Sequence, residues 1–134
     1  MRKKILIVED NRDSLEILSL RITSIGYEAI KAHNSKEAIQ CAEAEQPDLI
    51  LMDMDLPDVD GVKTTAILRQ SPKTSHIPIV AITAWMAELW REKASRVGIA
   101  TYLLKPISPQ TLKQTIEEYT DGSLIRRKTM AFRI

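Results

Sequence analysis

The sequence has little that would direct it into a membrane, a disulfide-bonded fold or a complex with nucleic acid. Its single cysteine, Cys41, cannot form an internal disulfide, so we expect a free thiol and a cytoplasmic protein. No apolar run approaches the ~20 residues of a membrane span. The apolar run after Arg2-Lys3-Lys4 ends at Glu9 and is too short for a signal peptide. A net charge of +1 gives no overall attraction to DNA or to anionic lipid.

The composition is that of a globular domain, with 44% apolar and 28% charged residues. We find no internal repeat and no low-complexity linker. A chain of 134 residues is long enough for one domain with a proper core. We predict one domain over residues 1–119, followed by a basic and apolar tail over residues 120–134.

Five short apolar segments alternate with five segments in which apolar residues recur at helical spacing. The predicted strands cover residues 5–8, 27–32, 48–53, 78–83 and 99–104. Strict alternation of this kind predicts an α/β fold whose parallel sheet is covered by helices on both faces. With right-handed crossovers, the natural arrangement is a flavodoxin-like, doubly wound (βα)5 fold with strand order 2-1-3-4-5.

Chemically distinctive residues stand where the predicted strands end. Glu9 and Asp10 follow the first strand, Asp53 ends the third, Thr83 ends the fourth and Lys105 follows the fifth. Each has an ordinary structural explanation, such as a helix cap or a surface charge. However, the carboxyl ends of parallel strands share one edge of the sheet, where ligands bind in such folds. The sequence therefore predicts three carboxylates, a hydroxyl and an ammonium group around one crevice.

Crowded carboxylates repel each other unless a cation lies between them. Mg²⁺ prefers oxygen ligands, and it commonly binds phosphate oxygens as well. A site that combines Mg²⁺, one lysine and one hydroxyl suits a phosphoryl group. Because carboxylates form acyl phosphates in some proteins, Asp53 is the candidate nucleophile.

The strand-end motifs together resemble the receiver domain of bacterial two-component response regulators, over about residues 3–119. The motifs are Val8-Glu9-Asp10-Asn11, Leu51-Met52-Asp53-Met54-Asp55-Leu56-Pro57 with Gly61, Ile82-Thr83-Ala84 and Tyr102-Leu103-Leu104-Lys105-Pro106. Their spacing also fits, since Thr83 follows Asp53 by 30 residues. The run Lys105-Pro106-Ile107-Ser108 resembles that of DivK-like, single-domain members of the family.

The resemblance implies a role for each matching residue. Asp53 accepts the phosphoryl group, and Lys105 and Thr83 contact its oxygens. The Mg²⁺ ligands are Asp10, Asp53 and the backbone carbonyl of Asp55, with Glu9 nearby, through water. Tyr102 is the aromatic residue whose rotamer follows Thr83, and the bond between Lys105 and Pro106 is cis in this family.

The same resemblance implies a signalling switch, not an enzyme, apart from self-catalysed phosphotransfer and autodephosphorylation. The expected phosphodonor is a sensor histidine kinase or a histidine phosphotransfer protein, and the expected output is a downstream protein effector. We expect a stand-alone receiver with no direct DNA binding and no membrane span. A phosphorylation-dependent dimer is a further expectation.

An apolar group near the fourth helix has two interpretations. The region of Trp85, Met86, Leu89 and Trp90 is apolar, whereas many relatives carry acids at the positions of Leu89 and Trp90. They either pack locally over a short helix or form a partner surface. For the second interpretation we place Trp90 on the outer side of the helix, away from Ala87, Ala94 and Val97. For the tail we favour a loose or loosely docked end, and a docking helix, a membrane-surface contact and the start of a linker stay open.

Three alternatives to the stand-alone receiver deserve comparison. A haloacid-dehalogenase-like, Mg²⁺-dependent phosphatase also uses a strand-end aspartate, and Asp53-Met54-Asp55 supplies its DxD motif, although the chain leaves little room for a cap. A flavodoxin-like cofactor binder needs a phosphate-binding loop after the first strand, where the acidic pair would repel phosphate. A receiver excised from a hybrid histidine kinase is consistent with every motif.

Overall fold

The computed structural model describes residues 2–84 and 88–120, with side chains described for residues 2–84 and 90–120. Within these ranges strands and helices alternate in the predicted order. The elements are β1 Lys4–Val8, α1 Arg12–Ser24, β2 Glu28–Ala32, α2 Ser35–Glu45, β3 Leu49–Asp53, α3 Gly61–Gln70, β4 Ile79–Thr83, α4 Glu88–Val97, β5 Thr101–Leu104 and α5 Pro109–Thr120. No helix in the described ranges is both long and apolar enough to cross a bilayer.

The five strands form one parallel sheet in the order β2-β1-β3-β4-β5, which confirms the predicted fold and topology. In the register, Val8 of β1 lies beside Met52 of β3, and Thr83 of β4 lies beside Leu104 of β5. Because all strands run the same way, the residues that end β1, β3, β4 and β5 lie along one edge of the sheet.

The sheet separates two apolar layers, and alternate residues of each central strand belong to different layers. On one face, Leu15, Leu18 and Ile22 of α1 and Leu112, Ile116 and Tyr119 of α5 pack against the sheet. On the other face, α2, α3 and α4 contribute Ala38, Ala42, Leu68 and Ala94. Every residue of β3 is buried, as expected for a central strand covered on both faces.

The first turns of α1, α2 and α3 are capped by side chains that accept from a backbone N–H. Asn11 accepts from the Ser14 N–H at 2.9 Å and is the cap of α1, and Asp13 lies in the first turn of that helix. Asn34 and Asp60 cap α2 and α3 in the same way, each at 2.9 Å. All three helices begin after a loop at the carboxyl edge of the sheet.

Four predicted strands begin one or two residues later than the sequence suggested, and for β2 and β5 the reason is the same. Tyr27 and Ile99 each follow a glycine of positive φ, +99° at Gly26 and +95° at Gly98. The Tyr27 N–H donates to the Ile22 carbonyl, and the Ile99 N–H donates to a carbonyl of α4. These are helix C-terminal motifs in which a buried apolar residue closes the helix. Both residues therefore belong to a helix end, and β2 and β5 start downstream of them.

Candidate functional site

Three carboxylates meet at the carboxyl edge of the sheet because β1 and β3 are neighbours there. Glu9 and Asp10 directly follow β1, and Asp53 is the last residue of β3. The side chains of Glu9 and Asp53 are buried, while Asp10 is exposed. Each of the three offers a carboxylate oxygen that lies within 4.8 Å of the others. The predicted acidic cluster is thus present in the structure.

Lys105 supplies the positive charge beside this cluster. Its Nζ lies 3.1 Å from Glu9 Oε1 and 3.5 Å from Asp53 Oδ2. The backbone places it there, since β4 and β5 are paired and the Lys105 N–H donates to the Thr83 carbonyl at 2.9 Å. The peptide bond between Lys105 and Pro106 is cis. The side chain of Thr83 is buried at the end of β4, beside the strand that carries Asp53.

The loop after β3 fixes the orientation of the Asp53 carboxylate. The Asp55 N–H donates to Asp53 Oδ1 at 3.0 Å, while the other oxygen of Asp53 faces Lys105. The loop returns to the strand end, where the Gly61 N–H donates to the Met54 carbonyl at 3.1 Å. A Cβ on Gly61 would lie 2.9 Å from the Asp53 carbonyl oxygen and would also meet the Met54 side chain. Only glycine fits this approach without displacement.

The ionisation of Glu9 is strongly affected by its surroundings. Burial, together with a hydrogen bond to Asp53 and that residue's negative charge, raises the Glu9 pKa from 4.5 to about 7 despite the opposing effect of Lys105. Burial lowers the Lys105 pKa, but the nearby carboxylates of Asp53 and Glu9 raise it overall. In addition, Glu9 Oε2 is buried without a hydrogen-bond partner. An unpaired buried carboxylate oxygen beside two further carboxylates fits a hard divalent cation.

Tyr102, the predicted companion of Thr83, lies on β5 opposite Ala81 of β4. Its side chain is half-buried and packs against the apolar layer that contains α2, α3 and α4. The strand pairing therefore brings Tyr102 close to the sheet edge at which Thr83 ends β4.

The predicted apolar group near α4 is only partly within the described residues. Trp85 and Met86 lie outside them, and the side chain of Leu89 is not described. The outward placement of Trp90 is wrong, because its half-buried side chain packs against the core layer of α2, α3 and α4. Trp90, Ala94 and Val97 are spaced by four and three residues, which puts them on one helix face. That spacing was visible in the sequence.

The structure also brings together residues that sequence motifs did not single out. A cleft of about 370 Å³ opens beside Glu9 and Lys105, between α1 and the connection from β5 to α5. Across it, Arg21 Nη1 donates to the Ile107 carbonyl at 2.9 Å. These two residues are 86 positions apart, so no local pattern could have indicated this contact.

With this geometry established, comparison with known proteins places the chain in a family. Residues 5–117 match the family model described as "Response regulator receiver domain". The chain therefore belongs to the response regulator receiver family, a class of phosphoacceptor signalling switches in two-component systems. Members of this class are switches and not enzymes in the usual sense. The resemblance identified from the strand-end motifs is confirmed.

Particular relatives support the same conclusion. The chain is 38% identical over 119 residues to the polar-differentiation response regulator DivK of Brucella anthropi, an alignment covering 89% of this chain and 97% of that protein. DivK of Brucella ovis is 37% identical over the same length and with the same coverage. These matches favour the receiver over the phosphatase alternative.

Solved structures agree with the fold. The Vibrio cholerae chemotaxis protein CheY4 superposes with a TM-score of 0.85 at 25% identity, covering 89% of this chain and 99% of that one. The receiver domain of the sensor histidine kinase PA1611 from Pseudomonas aeruginosa superposes with a TM-score of 0.83 at 30% identity. The match covers 90% of this chain and 99% of that one. That structure has a magnesium ion coordinated in its active-site cleft.

Proposed function

We propose that Asp53 is the phosphoacceptor of this receiver and that Glu9, Asp10, Lys105 and Thr83 complete its site. The observation that carries the proposal is the divided environment of the Asp53 carboxylate. One oxygen accepts from the Asp55 N–H, and the other faces the Lys105 ammonium group at 3.5 Å. A carboxylate held in this way has a fixed orientation, with Oδ2 beside the ammonium group that can stabilise a phosphoryl oxygen.

Mg²⁺ is the cofactor that this donor set fits. Asp10 and Asp53 would bind it directly, together with the backbone carbonyl of Asp55, and Glu9 would contribute through water. When bound, the cation offsets the negative charge that gathers on the phosphoryl oxygens during transfer. The acidic cluster and the unpaired Glu9 Oε2 support this assignment. So does the magnesium ion in the related sensor-kinase receiver.

In the transfer step, an Asp53 oxygen forms a bond to the donor's phosphorus while the bond between phosphorus and the donor's histidine nitrogen breaks. The electron pair of that bond leaves with the imidazole. Lys105 is positioned to stabilise the charge on a phosphoryl oxygen, because its ammonium group already lies beside Asp53. Hydrolysis of the acyl phosphate by water returns the carboxylate and inorganic phosphate.

The signalling output follows from what phosphorylation adds to Asp53. A phosphoryl group brings a charge of about −1.5 to −2 and oxygens that are strong hydrogen-bond acceptors. Thr83 ends the strand next to β3, so its hydroxyl can donate to a phosphoryl oxygen, and Tyr102 on β5 would respond to the shift. This difference in contacts biases a two-state element, the region from the end of β4 to β5. Thr83→Val should take up phosphate but fail to shift the Tyr102 ring resonances in an NMR spectrum.

The proposed partners are a sensor histidine kinase or a histidine phosphotransfer protein as donor, and a protein effector as recipient. A dimer that forms on phosphorylation remains part of the proposal, and sedimentation velocity with and without acetyl phosphate tests it. We also propose a cytoplasmic location, which is consistent with the free thiol of half-buried Cys41.

Intact-mass spectrometry after incubation with acetyl phosphate and Mg²⁺ tests the site directly. We expect the mass of one phosphoryl group to be added, and we expect EDTA or Asp53→Asn to prevent it. Asp13→Asn is the matched control, because Asp13 is an exposed aspartate on α1 that lies outside the acidic cluster. Labelling that persists in Asp53→Asn would refute the assignment. Sustained turnover of a phosphomonoester would instead support the phosphatase alternative.

A further inference from the structure

The position of the Lys105 ammonium group depends on the contacts that hold the backbone of this residue. Lys105 reaches the Glu9 and Asp53 carboxylates with a long side chain that is 34% exposed. Such a side chain has many rotamers, so burial alone does not fix its end. On the upstream side, the Lys105 N–H donates to the Thr83 carbonyl, which ties the residue to β4. The sheet supplies no comparable tie downstream, because β5 ends at Leu104.

Arg21 supplies the downstream tie. Its Nη1 donates to the Ile107 carbonyl at 2.9 Å in a partly buried contact. Ile107 stands two residues after Lys105, in the connection that ends where Ser108 caps α5 by accepting from the Thr111 N–H. Lys105 therefore lies between two hydrogen bonds that anchor its backbone to different elements. Because a guanidinium group is always charged, the bond from Arg21 is stronger than one between neutral groups.

The other end of this tie is rigid. Arg21 lies in the last turn of α1, next to Ile22, which is fully buried against the sheet. Leu18, one turn earlier, is buried in the same layer. Arg21 also lines the 370 Å³ cleft, together with Lys105, Pro106 and Ile107. A helix packed firmly on the sheet thus reaches across the cleft to the segment that carries the active lysine.

We propose that Arg21 is a positioning residue for phosphoryl transfer, acting through the Ile107 carbonyl to hold Lys105 beside the Asp53 carboxylate. This inference rests on the proposed function of Asp53 and Lys105. Loss of the tie lets the connection shift, and a displacement of about 1 Å at a reacting group can cost about a hundredfold in rate. With the tie to β4 intact, we expect a smaller effect, about tenfold. Mg²⁺ affinity should not change, because the assigned bond of Arg21 goes to a carbonyl group outside the acidic cluster.

The test compares Arg21→Met with Arg96→Met, which removes the same charge from an exposed position on α4. Phosphorylation is followed by intact mass over time with phosphoramidate and Mg²⁺, since a small donor avoids any effect on protein docking. We expect Arg21→Met to react about tenfold more slowly and Arg96→Met to match the wild type. In a Lys105→Met background, Arg21→Met should cause no further slowing.

Equal rates for the two arginine variants would overturn the proposal. The proposal would also be overturned if Arg21→Met slowed the reaction as much in the Lys105→Met background as in the wild type, or if it lowered Mg²⁺ affinity. Either result would mean that Arg21 does not act through Lys105. If Arg21→Met does not fold, Arg21→Lys replaces it, because it keeps the charge and most of the stem. The shorter side chain should slow the reaction about threefold.

An independent measurement separates this inference from the proposed function. If the wild type takes up no phosphate, the function assigned to Asp53 fails. The backbone NMR signals of Lys105 and Ile107 still report on the tie. We expect Arg21→Met to shift both amide signals and to speed hydrogen exchange at Lys105, whose N–H donates to Thr83. Unchanged signals would mean that Arg21 does not hold this segment.

Discussion

Replacing Glu9 with glutamine should remove a pH dependence from the stability of the metal-free protein. Only 2% of the Glu9 surface is exposed, and one of its oxygens has no hydrogen-bond partner. Burial and the neighbouring Asp53 raise its pKa to about 7, so the folded state binds the carboxyl proton more tightly than the unfolded chain does. Glutamine has nearly the same shape but no charge to desolvate.

The sign of the effect follows from the two pKa values. Below pH 4.5, Glu9 is protonated in both the folded and the unfolded states, and its ionisation costs the folded state nothing. Between pH 4.5 and about 7 the folded state keeps a proton that the unfolded chain has released, so the free energy of unfolding decreases as pH rises. Above about pH 7 Glu9 is ionised in both states, and its burial lowers the free energy of unfolding by the full amount, about 3 kcal/mol for a pKa raised from 4.5 to about 7.

Urea unfolding in EDTA at pH 5, 6, 7 and 8 measures this cost. We expect the difference in unfolding free energy between Glu9→Gln and the wild type to grow by about 3 kcal/mol across the window in favour of the variant. The control is Glu117→Gln, an exposed carboxylate on α5, which should follow the wild-type curve. Saturating Mg²⁺ should flatten the wild-type slope, because the cation binds the ionised site. Parallel curves for Glu9→Gln and the wild type would refute the reasoning.

Four substitutions in the framework give further predictions. Gly98→Ala should lower the free energy of unfolding in urea by about 2 kcal/mol, because φ is +95° and the new Cβ would lie 2.8 Å from Arg69 Nε. Gly26→Ala has a similar φ of +99° but open space around the new Cβ, so it should lower the free energy of unfolding by only about 1 kcal/mol. Equal costs would show that the Arg69 contact is harmless. Gly61→Ala should slow phosphorylation by acetyl phosphate at least about tenfold, because its Cβ would push against the carbonyl oxygen of Asp53, the proposed phosphoacceptor. A normal rate with a lower melting temperature would contradict this. Leu51→Ala, in fully buried β3, should lower the unfolding free energy by about 3 kcal/mol, and a loss below about 1 kcal/mol would argue against tight packing there.

The sheet and the centre of the site were predictable because their signals are local. β1, β3, β4 and β5 are short and apolar, and a polar residue ends each strand or directly follows it. Parallel topology brings those ends together wherever they fall in the chain. Asp53 and Lys105 are therefore neighbours although 52 residues separate them. The later starts of β2 and β5 were not predicted, because an apolar residue after a glycine looks the same whether it closes a helix or opens a strand.

Contacts between loops and distant elements could not be predicted in the same way. Asp58 accepts from the N–H groups of Ser35 and Lys36, which fastens the loop after β3 to the start of α2. Hydrogen bonds from the backbone N–H groups of Ser35, Val59 and Lys36 hold the Asp58 pKa below its usual range, although desolvation opposes them. The bond from Arg21 to Ile107 is another contact of this kind. Neither leaves a pattern in the sequence, because both depend on the final positions of loops and long side chains.

The alternation of β3 between the two apolar layers affects how the molecule can respond to phosphorylation. Leu49 and Leu51 pack with α1 and α5, while Ile50 and Met52 pack with the other three helices. The strand is thus packed on both faces, and the backbone of Asp53 at its end is held in place with it. Movement of β3 therefore cannot reduce the repulsion that a negative charge added at Asp53 would cause. Under the proposed function, the groups that contact the phosphoryl group move instead, and the change passes to β4 and β5 and not back along β3.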